Sequence, residues 1–226
     1  VVVEPRARTP GIMLCFVPAA EAKTAKNRIH LDLATVSDAD QLETVARLTA
    51  GGATPVGRRG LPWVVLADPE GNELCVLEPR PSEQRTGALA SVVVDVADPG
   101  RQARFWSEAT GWPVVDTAPG GCRLRDPSGR GPFLDLIPVP EPLGVRNRLR
   151  LEVAPLRNES HQQAATKLQA AGASLSPVVQ GADAGWTLLV DPEGQEFCLR
   201  GRPATDQAGS SQRPRGGGTS SGEKKP

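Results

Sequence analysis

Apolar and polar residues alternate strictly along Arg28-Ile29-His30-Leu31-Asp32-Leu33, which predicts a strand. Ile29, Leu31 and Leu33 fall on one face, and Arg28, His30 and Asp32 on the other. Downstream, Ser37 or Asp38 can cap a helix whose apolar stripe is Leu42, Val45, Ala46 and Thr49, and Gly51-Gly52 ends it. A short strand over 54–57 follows. The hairpin Trp63-Val64-Val65-Leu66-Ala67-Asp68-Pro69-Glu70-Gly71-Asn72-Glu73-Leu74-Cys75-Val76 then closes the unit. In its turn, Pro69 presets φ and Gly71 supplies the positive φ that a tight reversal needs.

This βαβββ pattern recurs. Residues 91–96 form an apolar run, Asp98-Pro99 opens a helix with Ala103, Phe105, Trp106 and Ala109 facing inward, and Gly111 stops it. Strands over 113–116, 122–125 and 133–137 complete that unit. A further unit repeats the first pattern 120 residues on, with Asn147-Arg148-Leu149-Arg150-Leu151-Glu152 matching Asn27 to Asp32. Its hairpin, Trp186 to Leu199, is the near twin of Trp63 to Val76. At the start of the chain only the closing hairpin is present, Val1–Val3 with 11–17. A Gly precedes one strand position by four residues each time: Gly11/Cys15, Gly71/Cys75, Gly131/Asp135 and Gly194/Cys198. The period near sixty exceeds that of a solenoid and points to a duplicated supersecondary unit. The fold class is therefore α+β, built of tandem βαβββ units with helices on the outer faces of mixed sheets.

Composition narrows the function. The 226 residues carry 26 basic and 26 acidic side chains, which leaves no basic footprint for nucleic acid or an anionic membrane. No apolar run is long enough to span a bilayer. The 4 cysteines are far apart, and three of them share one repeat position, so they read as reduced thiols of a cytoplasmic protein. Gly, Ser, Pro and Lys dominate from about Ala204, and that stretch, 204–226, lacks the apolar content to order itself. Asp68, Asp126 and Asp191 each start a hairpin turn and read as structural. His161 falls at an exposed helix start and reads as inert. There is no phosphate loop, nucleophile elbow or Cys-x-x-Cys pair.

The segment Lys26-Asn27-Arg28-Ile29-His30-Leu31-Asp32-Leu33, the Gly-Ala helix end and Asp68-Pro69-Glu70-Gly71-Asn72-Glu73-Leu74-Cys75 resemble the glyoxalase-like branch of the vicinal oxygen chelate superfamily, the glyoxalase/bleomycin-resistance/dioxygenase group. Asp98-Pro99, Phe105-Trp106 and Gly111-Trp112 fit the same resemblance. It implies that units pair into bowl-shaped sheets. One bowl, 1–80, is expected to be truncated at its N-terminus, with a linker at 81–87 and a complete bowl at 88–203.

Enzymes of that superfamily hold a divalent metal, a Lewis acid, on the first and last strands of paired units. Those positions here are His30, Val93 and Arg150 on first strands, and Cys15, Cys75, Asp135 and Cys198 on last strands. The first bowl offers a metal set of Cys15, His30 and Cys75, which zinc accepts; alternatively the cysteines are small core residues. The complete bowl offers Val93 and Arg150, neither of which ligates. Asp135, Arg148, Arg150, Glu152, Glu196 and Cys198 then line either a pocket for a small polar or anionic molecule or a set of ion pairs filling a retired site. Asp135 and Arg150 are expected to meet. The functional expectation is a small-molecule-binding protein with a degenerate metal site. The alternatives are a metal-dependent lyase or dioxygenase-type enzyme, with any divalent metal in the first bowl only, and a partner-binding module that pairs as a homodimer.

Overall fold

The structure, a computed structural model, describes residues 2–3, 12–18, 22–57, 60–83, 85–117, 120–140, 147–178 and 185–201. The expected tail at 204–226 lies outside these. The opening hairpin pairs β1 (Val2–Val3) with β2 (Leu14–Cys15), antiparallel. The second unit comprises β3 (Ile29–Leu33), α1 (Asp38–Ala50), β4 (Thr54–Pro55), β5 (Val64–Ala67) and β6 (Glu73–Val76). The third comprises β7 (Leu89–Val96), α2 (Pro99–Thr110), β8 (Val114–Asp116), β9 (Cys122–Arg125) and β10 (Phe133–Pro138). The fourth comprises β11 (Leu151–Val153), α3 (His161–Ala170), β12 (Ser174–Leu175), β13 (Trp186–Val190) and β14 (Glu196–Arg200).

The chain is thus α+β, with tandem βαβββ units and mixed sheets. The units couple in a different order from the expected one. β3 pairs antiparallel with β7, so the second and third units form one eight-stranded sheet in the order β4-β5-β6-β3-β7-β10-β9-β8. The fourth unit stands as a separate four-stranded sheet, β11-β14-β13-β12. Two causes are visible. Residues 81–87 are too short to carry the chain away, and consecutive elements joined by short connections lie side by side. β7 is an eight-residue strand, buried along almost its whole length, that can only be an interior strand with neighbours on both edges. The expected linker is itself structured: Pro81–Glu83 forms a single 3-10 turn and buries Glu83.

The eight-stranded sheet has one apolar and one polar face. Ile29, Val92, Val94, Val96, Leu124, Leu134 and Leu136 share a single core with Phe105 and Trp106 of α2 and with Ala164, Leu168, Leu189 and Phe197 of the fourth unit. Phe105, Trp106 and Phe197 meet edge to face, with ring centroids 5.2–5.6 Å apart. Asp98 caps α2 through Arg101 N–H (2.9 Å), and Glu193 from the fourth unit's turn accepts from Ala97 N–H and Asp98 N–H at 2.7 Å each. No helix among the described residues is long and apolar enough to cross a membrane.

Two local expectations are corrected. Helix α1 does not bury Leu42, Ala46 and Thr49; Leu42 is exposed, and Val45 and Leu48 make the apolar contact. The face turns because Gln41 reaches inward and donates its Nε2 to two carbonyls, Pro62 O (3.0 Å) and Val76 O (3.1 Å). His161 is half-buried, with Nε2 3.3 Å from both Leu199 O and Thr187 Oγ1, so it anchors α3 to its sheet. The three turn aspartates are structural: Asp68, Asp126 and Asp191 each accept backbone N–H groups of their own turn at 2.7–2.9 Å.

Candidate ligand-binding and metal site

Strand register sets the site. Across five adjacent strands, Cys75 stands opposite Asp32, Asp32 opposite Ser91, Ser91 opposite Phe133 and Phe133 opposite Arg125. The neighbouring row on the same face runs His30, Val93, Asp135, Arg123. Side chains two apart on a strand share a face, so both rows project from the polar side, opposite the core.

Near the middle of this face His30, Asp32 and Cys75 converge. One donor atom from each lies within 4.8 Å of the others, and His30 Nε2 is 3.4 Å from Asp32 Oδ1. Burial pushes Asp32 up to about 7, with the Asp135 charge adding to the shift and a Cys75 hydrogen bond opposing it. Burial also pushes the Cys75 thiol up to about 12, with Asp32 contributing, and lowers His30. The group at neutral pH is therefore a thiol beside a half-protonated carboxyl and a neutral imidazole.

Beside it, Arg123 donates from Nε and Nη2 to the two oxygens of Asp135 (2.7 and 3.0 Å) and from Nη2 to Glu83 Oε1 (3.0 Å). Burial works against the guanidinium, but the Asp135 hydrogen bond and charge prevail and hold its pKa up. Lys26 Nζ donates to the buried Asp95 at 2.6 Å, and Arg80 lies over the Trp63 ring. Several polar atoms of this face are buried without a partner: His30 Nδ1, Asp32 Oδ1, Glu83 Oε2, Ser91 Oγ and Arg125 Nη2.

The sequence-derived residues divide between two places. Of the expected metal set, His30 and Cys75 meet, but Cys15 is exposed on the opening hairpin and is not in the group. Asp32 takes its place; alternation had put it on the His30 face. Of the expected pocket, Asp135 lies on the eight-stranded sheet. Glu152, Glu196 and Cys198 belong to the four-stranded one, and Arg150 and Arg148 immediately precede its first strand. Asp135 pairs with Arg123, whereas Arg150 sits 3.9 Å from Glu196, because the sheets of the third and fourth units are separate. Glu152 takes Arg200 (3.2 Å), and Arg148 Nη1 donates to Glu70 O (3.1 Å). Burial raises the Cys198 thiol, with the Glu152 charge adding to it. Arg123, Glu83, Ser91 and Arg125 were missed, although Arg123 and Arg125 alternate with buried Cys122 and Leu124 along one predicted strand.

The donor set of His30, Asp32 and Cys75 fits a divalent cation. It offers nitrogen, oxygen and sulfur, and His30 Nδ1 is buried with no hydrogen-bond partner.

Comparison with known proteins shows the family and the fold. A family described as "Glyoxalase-like domain" matches residues 1–77 and 91–200. Among curated proteins none matches the sequence. Glyoxalase I from Zea mays is similar in structure at 17% identity, with a TM-score of 0.50, over 75% of this chain and 66% of the maize chain. A point mutant of the same maize protein gives a TM-score of 0.51 over the same shares of both chains. The chain therefore spans slightly less than two thirds of the maize protein, and at that identity the likeness shows the fold.

Proposed function

The chain belongs to the glyoxalase-like domain family, and from that premise we propose that it is a small-molecule-binding protein whose ligand seats on the polar face shared by the second and third units. The observation that carries the reading is the set of buried, unpartnered polar atoms on that face, contributed by both units on either side of the β3–β7 junction. Each such atom costs about 1–3 kcal/mol if left unsatisfied. A polar ligand that pairs with several of them at once recovers that cost. The test is a thermal-shift screen of small polar molecules. Stabilising compounds should lose their effect in His30→Ala and keep it in Arg150→Ala; the reverse pattern would place the ligand on the fourth unit's sheet instead.

The convergence of His30, Asp32 and Cys75 supports a second reading, a metal-dependent enzyme at the same face. A divalent cation held there would act as a Lewis acid toward ligand oxygens. The chain's own part would be to hold Asp135 away from that cation through Arg123, and to keep the group screened from bulk water by burial. We take the compartment to be the cytoplasm, a reading that the free cysteines support.

A further inference from the structure

Arg123 and Arg125 lie two residues apart on β9 and flank the same ring: their guanidinium carbons are 3.9 and 4.2 Å from the centroid of Phe133. Their situations differ. Arg123 is saturated by Asp135 and Glu83. Arg125 donates its Nε to Gly131 O at 3.1 Å, and its Nη2 is buried with no partner. The loop that holds it is itself fixed, since Gly131 N–H donates to Arg85 O at 3.2 Å. Glu83, Arg85 and Arg123 are the charges that act on Arg125. Arg123 engages both nearby carboxylates, Glu83 and Asp135, and among the described residues no carboxylate pairs with Arg125. One positive charge with an open donor is left over. The side chain is partly exposed, so an anion can approach it and complete its donor set.

We infer that Arg125 receives an oxyanion, a carboxylate or phosphonate group, of the small molecule that binds this face. The inference rests on the binding reading above and adds the chemical class and pose of the ligand. Register fixes the pose. Arg125 and Asp32 lie in one cross-strand row, three strand spacings apart, about 14 Å along the sheet. The acid group binds at the Arg125 end. The rest of the molecule extends over Phe133 and Ser91 toward His30, Asp32 and Cys75. With its guanidinium carbon over the Phe133 ring, Arg125 carries its N–H donors on the guanidinium edge, and that edge suits a bidentate acid. An anion at that end is also far enough from Asp32 to avoid repulsion.

The test uses the full chain and three probes of one shape: benzoate, phenylphosphonate and the neutral benzamide. Binding is followed by the backbone amide signals of Gly131 and Phe133. Benzoate or phenylphosphonate should shift them saturably and benzamide should not; a response to phenylphosphonate alone assigns a tetrahedral oxyanion. Arg125→Gln should weaken binding by about tenfold or more, Arg125→Lys should retain part of it, and Arg150→Ala, beside the separate four-stranded sheet, should leave it unchanged. Equal binding of benzamide, or binding indifferent to Arg125→Gln, overturns the inference. If all three probes are silent while compounds from the thermal-shift screen still bind, the acid-group assignment falls alone. If that screen also yields no binder, the binding reading falls with it.

Discussion

Arg123 grips Asp135 with two parallel hydrogen bonds, at 2.7 and 3.0 Å, and the same guanidinium holds Glu83 at 3.0 Å. Glu83 comes from the segment joining the second and third units, and Asp135 stands on the third unit's last strand, at the repeat position that Cys75 holds in the second. The carboxylate at that position is therefore neutralised by the protein itself.

Both carboxylates are almost fully buried, so Arg123→Ala should destabilise the chain by about 3–5 kcal/mol, because two negative charges lose their partner. Adding Asp135→Ala should return part of that loss. A denaturant double-mutant cycle measures the coupling. Additive losses would mean that the pair is not the unit described.

Asp191 gives the pH dependence a defined sign. Burial raises its carboxyl to about 6, against the two turn N–H groups that favour the charged form. A group whose pKa is higher in the native than in the unfolded state stabilises the fold when protonated, and that stabilisation is lost as pH rises from about 4 through 6. Asp191→Asn, which keeps an acceptor for the turn, should match the wild type near pH 3. It should exceed the wild type at pH 8 by on the order of 3 kcal/mol. Thermal unfolding at the two pH values checks this; a variant less stable at pH 8 would contradict it.

Much of the fold was legible because its signals are local. The Asp-Pro-Glu-Gly turns, the Asp98-Pro99 cap and the alternation at 28–33 all rest on neighbours within a few residues. The pairing of units is not local. It depends on β7 having partners on both edges, and its signal, the apolar run 92–94 where β3 simply alternates, marks an interior strand without naming its neighbours. The same non-local pairing sets Asp135 against Arg123 rather than the expected Arg150. The metal group illustrates a second limit: His30 and Cys75 could be placed from repeat positions. Exchanging Cys15 for Asp32, however, required knowing that β6 sets Cys75 directly opposite Asp32.

If His30, Asp32 and Cys75 hold a divalent cation, they must give up protons to do so. At pH 7 the thiol, with its pKa near 12, is protonated, and Asp32, near 7, is half protonated. Zinc binding should therefore release roughly 1.5 protons and weaken as pH falls. Calorimetry in buffers of different ionisation enthalpy measures this. His30→Ala and Cys75→Ala should abolish binding, and Cys15→Ser should not change it.

The most direct measurement is residue-level mapping of a bound compound. A stabilising molecule from the thermal-shift screen is titrated into isotope-labelled protein, and the perturbed signals are assigned. The predicted result is a single patch running from His30 and Asp32 through Ser91 to Phe133, Asp135 and Arg123, drawn from both units of the eight-stranded sheet. Perturbations centred on Arg150, Glu152, Glu196 and Cys198, with the β3–β7 region silent, would contradict it.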